Sequence, residues 1–187
     1  MYKQIARTIY LFITTPAKAW KELNSENSSE EKALNNYAYP LIGIGTLAAF
    51  IAGLFKGNCI NFQVGLKNAS LLFISCFIGL YLAAFLIRWF YEKNMKKKMQ
   101  FSTSMIYVVY SSTVIFIINF LTQLTDGIFF IQIFSLYSIY IAWEGASELL
   151  EIEDSKRAGF VLFSSLSIIL SPVGLSYLIK LLMPAMQ

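Results

Sequence analysis

Five apolar runs, at residues 40–55, 66–90, 101–124, 128–146 and 158–182, are almost free of charge. A backbone crossing lipid must satisfy every N–H and C=O internally, so it crosses as a helix of about 20 residues. Four of the runs reach or approach that length, and the first does so once its flanking residues join it. The polar residues crowd into the gaps between them. Only 14% of the chain is charged and 57% is hydrophobic, against about 25% charged in a soluble domain. The expected fold is therefore all-α, a polytopic membrane helical bundle of about five transmembrane helices. Its solvent is the lipid bilayer, and nothing in the composition points to nucleic acid.

The third and fourth runs are separated only by Thr125-Asp126-Gly127. Glycine supplies the positive φ of a tight turn, so these runs form an antiparallel hairpin. Residues 1–39 read differently and are set apart from 40–187 as a cytoplasmic segment. Tyr2, Ile5, Ile9, Phe12 and Ile13 share one helical face, opposite Lys3, Gln4 and Arg7. Such an amphipathic helix suits the lipid–water interface. Thr15-Pro16 reads as an N-cap and first helical position, and Trp20 as an interfacial anchor. Ser28 and Glu31 have capping-box spacing, starting a helix that continues past Pro40 into the first run. Ala17-Lys18-Ala19 imitates a signal cleavage site, but the apolar stretch before it is too short for one.

Lysine and arginine set the orientation. Twelve lie before the first run, between the second and third with Arg88 on the flank, or between the fourth and fifth; three (Lys56, Lys67, Lys180) lie on the other side. This bias places the N-terminus in the cytoplasm and the C-terminus outside. The Lys, Asn and Ile richness hints at a bacterial, hence inner-membrane, setting. The basic residues 93–98 would also attract anionic lipid headgroups. Glu148, Glu151, Glu153 and Asp154 face the same compartment, where they neutralise that loop or dock a basic protein partner.

Chemistry-bearing residues are sparse. There is no histidine, which removes His general bases and His metal ligands. Cys59 and Cys76 read as free thiols, and no catalytic, metal or cofactor site is expected. Glu144, about 24 Å down its run from Ile128, lies near the cytoplasmic boundary at the level of Arg88. Its expected partner is Arg88 or Arg157, unless each snorkels separately to water. Asn119 and Gln123, with Ser104 and Ser111, lie near one face of the third run. Ser164, Ser167, Ser171 and Gly174 mark a similar face of the fifth. Such faces pack inward or line a solute path. Pro172 interrupts the fifth run's hydrogen bonding and kinks it unless Ser167 or Ser171 compensates. Gly45, Ala49 and Gly53 on the first run, and Ser75, Gly79 and Ala83 on the second, form small-residue ridges that let helices approach closely.

Pro16-Ala17-Lys18-Ala19-Trp20, then Tyr37-Ala38-Tyr39-Pro40-Leu41, resembles the start of bacterial members of the YIP family. These are five-span membrane proteins named for Ypt/Rab-GTPase interaction in eukaryotes. Leu136-Tyr137-Ser138-Ile139-Tyr140 to Gly145, followed by Lys156-Arg157-Ala158, is similar to that family's fourth span and final loop. The resemblance implies a five-helix bundle with its termini on opposite sides and supplies no reaction or catalytic residue. Eukaryotic members carry Asp-Leu-Tyr-Gly-Pro before the first span where this chain has Tyr-Ala-Tyr-Pro, so Rab binding is not carried across. The leading expectation is a non-enzymatic scaffold or regulator of membrane components. The alternative is a small transporter or channel, monomeric or a homodimer, using the polar faces of the third and fifth runs. A membrane enzyme built around Glu144 ranks last.

Overall fold

A computed structural model describes residues 2–25, 28–56, 60–125 and 129–182. The helices are α1 (Tyr2–Thr14), α2 (Pro16–Ser25), α3 (Glu30–Ala33), α4 (Tyr39–Leu54), α5 (Phe62–Met95), α6 (Phe101–Ser111), α7 (Thr113–Leu124), α8 (Tyr137–Glu148) and α9 (Asp154–Leu182). Among the described residues there is no strand, and one hydrophobic cluster extends from Ile5 to Ile168. Cys59 and the Asp126-Gly127 turn lie outside the described residues.

Among the described residues three helices are long and apolar enough to cross a membrane: Glu30–Leu54, Phe62–Met95 and Asp154–Leu182. The first joins α3 to α4 through a π-helical segment, Leu34–Ala38. Pro40 explains it. Proline has no N–H to offer the carbonyl one turn back, and its ring crowds that carbonyl. The wider turn, in which the Tyr39 N–H bonds the Leu34 carbonyl, precedes it. The helix begins at Ser29, whose hydroxyl accepts from the Lys32 N–H. The cap is thus one residue later than Ser28, the expected position. Pro16 does open α2, but the Thr15 hydroxyl donates back to the Leu11 carbonyl at 3.5 Å.

The third run departs from expectation. It is two helices, α6 and α7, bent by 44° at Ser112. The Ser112 hydroxyl donates to the Val108 carbonyl at 2.7 Å, and the Thr113 hydroxyl to the Tyr110 carbonyl at 2.6 Å. Hydroxyls bonding back onto their own helix bend it. The pair passes as one span only if the bend is counted within it. The fourth run also changes character, with Phe129–Leu136 as 3₁₀-helix before α8. Ser135 and Ser138 each donate to the carbonyl three residues back, at 2.6 Å, which matches a three-residue turn. The two parts extend about 16 and 18 Å, together no shorter than the roughly 30 Å hydrocarbon core.

The small-residue ridges pack, but not both against each other. On α4, Gly53 meets Gly65 of α5, where a Cβ on Gly53 would stand 2.6 Å from the Gly65 Cα. The Ser75–Gly79–Ala83 ridge turns the other way, because a Cβ on Gly79 would lie 3.1 Å from the Pro172 Cα of α9. Pro172 thus sits where α5 offers no side chain, and α9 continues through it. The Ser167 hydroxyl donates to the Phe163 carbonyl at 2.9 Å. It therefore does not serve the Ile168 carbonyl, the one that Pro172 leaves without its helical donor.

The N-terminal helices are amphipathic as expected, yet protein covers much of their apolar face, leaving Tyr2 and Ile13 exposed. Ile5, Phe12, Ala19, Trp20 and Leu23 are buried. Trp20 is 0% exposed and is a core residue rather than an interfacial anchor. The correction has a simple cause. Gly145 of α8 leaves a notch that the indole fills, and a Cβ there would lie 2.7 Å from the Trp20 ring. Gly145→Ala should therefore lower stability in detergent by about 1–3 kcal/mol, the usual cost of overpacking. Gly159→Ala, with nothing within 4 Å of its Cβ position, should be neutral or stabilise α9 by up to about 1 kcal/mol. Thermal melts of the two purified variants check this pair.

Candidate functional site

Two features stand out beyond ordinary packing: a charged end held by an aromatic clamp, and a cavity at the opposite end. The clamp starts from polar groups placed in an apolar setting. Trp20 Nε1 donates to the Ile141 carbonyl at 2.9 Å, and the Tyr107 hydroxyl donates to the Ala142 carbonyl at 2.9 Å. Both acceptors are helical carbonyls with a second lone pair to give. The Tyr107 hydroxyl also meets Ser164 Oγ at 3.0 Å, and the Tyr37 hydroxyl meets Thr113 Oγ1 at 2.9 Å. Phe12 stacks on Tyr110 at 5.1 Å and meets the edge of Trp20 at 5.1 Å. Seven helical segments are joined there.

This clamp fixes α2 along α8. Ile13 offers its carbonyl to the Tyr137 hydroxyl at 2.8 Å, while Asn24 Nδ2 reaches the Glu148 carbonyl at 3.2 Å. Helix α2 therefore follows α8 for about 17 Å, with α1 packed back on α2. Lys21 Nζ lies 3.6 Å from the Glu148 carboxylate.

The expected pairing of Glu144 does not form. Arg88 pairs with Glu92 on its own helix at 3.0 Å, and Arg157 with Asp154 at 2.7 Å. Helical neighbours at i+4 and i−3 are already in reach, whereas Glu144 shares the α8 stripe of Ile141 and Glu148 that α2 covers. It makes no ion pair among the described residues. Arg157 also lies over the Trp143 ring, 5.7 Å from its centroid. On the basic loop, Lys93 Nζ stands 4.8 Å from the Trp89 ring centre, and Lys96 ends α5 in a left-handed conformation with φ 54°.

The bend at Ser112 divides the expected polar face. Above it, Ser104 is sealed in the core, donating to the Ala84 carbonyl at 2.5 Å, and Ser111 is buried. Beyond it, α7 leans on α4, and a wedge opens between α7 and α9. The result is a cavity of about 700 Å³ lined by α5, α7, the 3₁₀ segment and α9. Asn119 and Gln123 line it, as does Pro172. Of the fifth run's marked residues, Ser164, Ser167 and Ser171 are instead buried, and Gly174 has nothing within 4 Å of its Cβ position. Asn119 Nδ2 donates to the Cys76 sulfur at 3.4 Å. Beside its inner wall, sharing Cys76, Ile115 and Pro172 with it, is a separate void of about 10 Å³ among Gly79, Leu80, Val108, Phe116 and Ile168, room for about one water. Among the described residues no three His, Cys, Asp or Glu side chains gather as a metal site.

A family model described as the Yip1 domain matches residues 9–176. The chain belongs to the Yip1 domain family. It is a membrane protein of that family, and the match includes most of the clamped N-terminal hairpin as well as the apolar helices. No curated protein and no solved structure matches the chain.

In this Yip1 domain, reasoning from sequence missed Tyr37, Tyr107, Tyr110 and Thr113, the partners of Trp20 and of one another. Tyrosines inside an apolar run were the available signal, since a buried hydroxyl needs a partner. It also missed Asn68, Gln132, Ser176, Tyr177 and Lys180, which meet Asn119 and Gln123 only once the wedge has opened.

Trp20→Ala should destabilise the protein by about 3–5 kcal/mol, as large-to-small aromatic changes do. It should loosen α2 so that trypsin cleaves after Lys18 and Lys21, whose side chains are already exposed, while the apolar helices stay resistant. Trp20→Phe, which keeps most of the ring but loses the N–H, should cost less, about 1–2 kcal/mol. Limited proteolysis combined with thermal melts separates the three proteins.

Proposed function

We propose that this Yip1-domain protein is a non-catalytic scaffold or regulator that engages other membrane components through the charged end of its bundle. One observation carries the reading. The clamp at Trp20 makes separate stretches of charge into one rigid surface. On the N-terminal hairpin Arg7 and Lys18 flank Glu22, and Lys21 stands beside Glu148 of α8. The basic residues 93–98 and the acidic residues 148–154 emerge from helix ends at the same end of the bundle. A loose interfacial segment would present these charges in no fixed arrangement.

The proposal includes five crossings of a bacterial inner membrane, with the N-terminus in the cytoplasm and the C-terminus outside. The support is the distribution of Lys and Arg, twelve on one side and three on the other. The basic loop then lies against anionic cytoplasmic lipid, where each Lys contributes about 1 kcal/mol of attraction.

Photo-crosslinking tests the scaffold reading. A benzophenone amino acid replacing Lys97, in cells, should give an adduct with a discrete membrane or cytoplasmic protein. Most of that adduct should be lost when Lys21→Glu is added, since this change disturbs the composite surface beside Glu148. Adducts with lipid alone, or adducts indifferent to Lys21→Glu, would count against the reading.

Solute passage is the second reading, and the polar cavity with Asn119 and Gln123 is the observation in its favour. The apolar void at its inner end is separate and narrow, which argues for a blind site. Flux into reconstituted vesicles that disappears with Asn119→Leu would reverse that order.

A further inference from the structure

The blind cavity has a chemistry of its own, graded with depth. Near the helix ends it is lined by Asn68, Gln123, Gln132, Ser176, Tyr177 and Lys180. These lie within about 9 Å of the ends of α5, α7 and α9, or on the 3₁₀ segment. Deeper, the walls are Leu71, Leu72, Ile115, Ile118, Ile169 and Val173. Asn119, about 8 Å from the end of α7, belongs to the polar level above them, and the polar groups below it are engaged: Ser75 donates to the Leu71 carbonyl, and the Cys76 sulfur accepts from Asn119. The deep part is therefore apolar in effect. A polar solute would find partners at the mouth and none below, while a purely apolar molecule would leave the mouth's amides unused. An amphiphile matches both levels.

The cavity is also open sideways. The wedge between α7 and α9 leaves Val173 60% and Tyr177 70% exposed, and Leu170, Leu181, Ile133 and Phe134 beside them are exposed as well. Its lips are apolar side chains of the kind lipid covers. Among the described residues no carboxylate lines the cavity, and Lys180 lies at its mouth. A volume of about 700 Å³ is within the range of small-ligand sites.

We propose that this cavity holds one anionic glycerophospholipid from the adjoining leaflet. Its phosphate and glycerol meet Lys180, Gln123 and Asn68, and one acyl chain lies along the apolar wall toward Pro172. The other chain stays in the bilayer through the α7–α9 gap.

Native mass spectrometry of the full chain in mild detergent tests this, with phosphatidylglycerol and phosphatidylcholine as probes. The wild-type protein should retain one phosphatidylglycerol in preference to phosphatidylcholine. Lys180→Gln should cut that preference about fivefold, the scale of one basic residue at a headgroup. Lys56→Gln, which removes the same charge at the same end but outside the cavity, should not. Ser176→Trp, which fills the cavity, should abolish retention with the melting temperature kept; if it does not fold, the two lysine variants still decide. Equal retention of both lipids overturns the proposal. So does an equal effect of Lys56→Gln and Lys180→Gln, which would signify surface charge alone. Displacement of the lipid by free glycerol phosphate would identify a soluble phosphate ligand and overturn the lipid assignment.

Discussion

A helix in lipid can bond to another helix only with groups its own ladder does not use. The N–H of Trp20 and the hydroxyl of Tyr107 meet that constraint by taking the spare lone pairs of adjacent α8 carbonyls, Ile141 and Ala142. Phe12, Tyr37, Tyr110 and Phe160 pack around these two bonds. The placement of the N-terminal hairpin, the orientation of α8 and the juxtaposition of the charged loops all follow from it. Without the notch at Gly145 the indole could not enter, and the hairpin would have only its charged face and the membrane surface to settle on.

The same economy of hydroxyls explains the cavity. Ser112 and Thr113 bond back onto α6, the chain bends, and α7 is carried toward α4. Tyr37, presented beside a π-helical turn that Pro40 requires, holds Thr113 at the bend. The cavity at one end and the clamp at the other thus share a joint. A local feature of one helix, the proline of the first span, bears on the shape of the third.

Several residues that look alike in the sequence have different fates. Asn119 and Ser111 share a face of the third run by spacing alone, yet one lines a cavity and the other is buried, because the bend intervenes. Arg88, Glu144 and Arg157 reach similar depth, but the two arginines are matched within their own helices and Glu144 lies under α2. Depth could be counted along a helix; azimuth could not, because it depends on which neighbour covers which stripe. Gly53 and Gly79 both announced close approach, and the sequence did not say that one would meet Gly65 and the other Pro172.

By itself the sequence determined the solvent. Runs of apolar residues with charge confined to the gaps are compatible only with helices in lipid, since any other backbone would carry unsatisfied polar groups. It also determined the start of α2 at Pro16, the continuation of one helix past Pro40, and the amphipathic character of the first helix, because proline geometry and helical period are local. Tertiary structure alone decided what the amphipathic face would meet, where the third run would bend relative to its neighbours, and which polar residues would gather at a cavity. Those outcomes depend on shape matching between segments more than 100 residues apart, as between Trp20 and Ile141, and no local periodicity encodes that match.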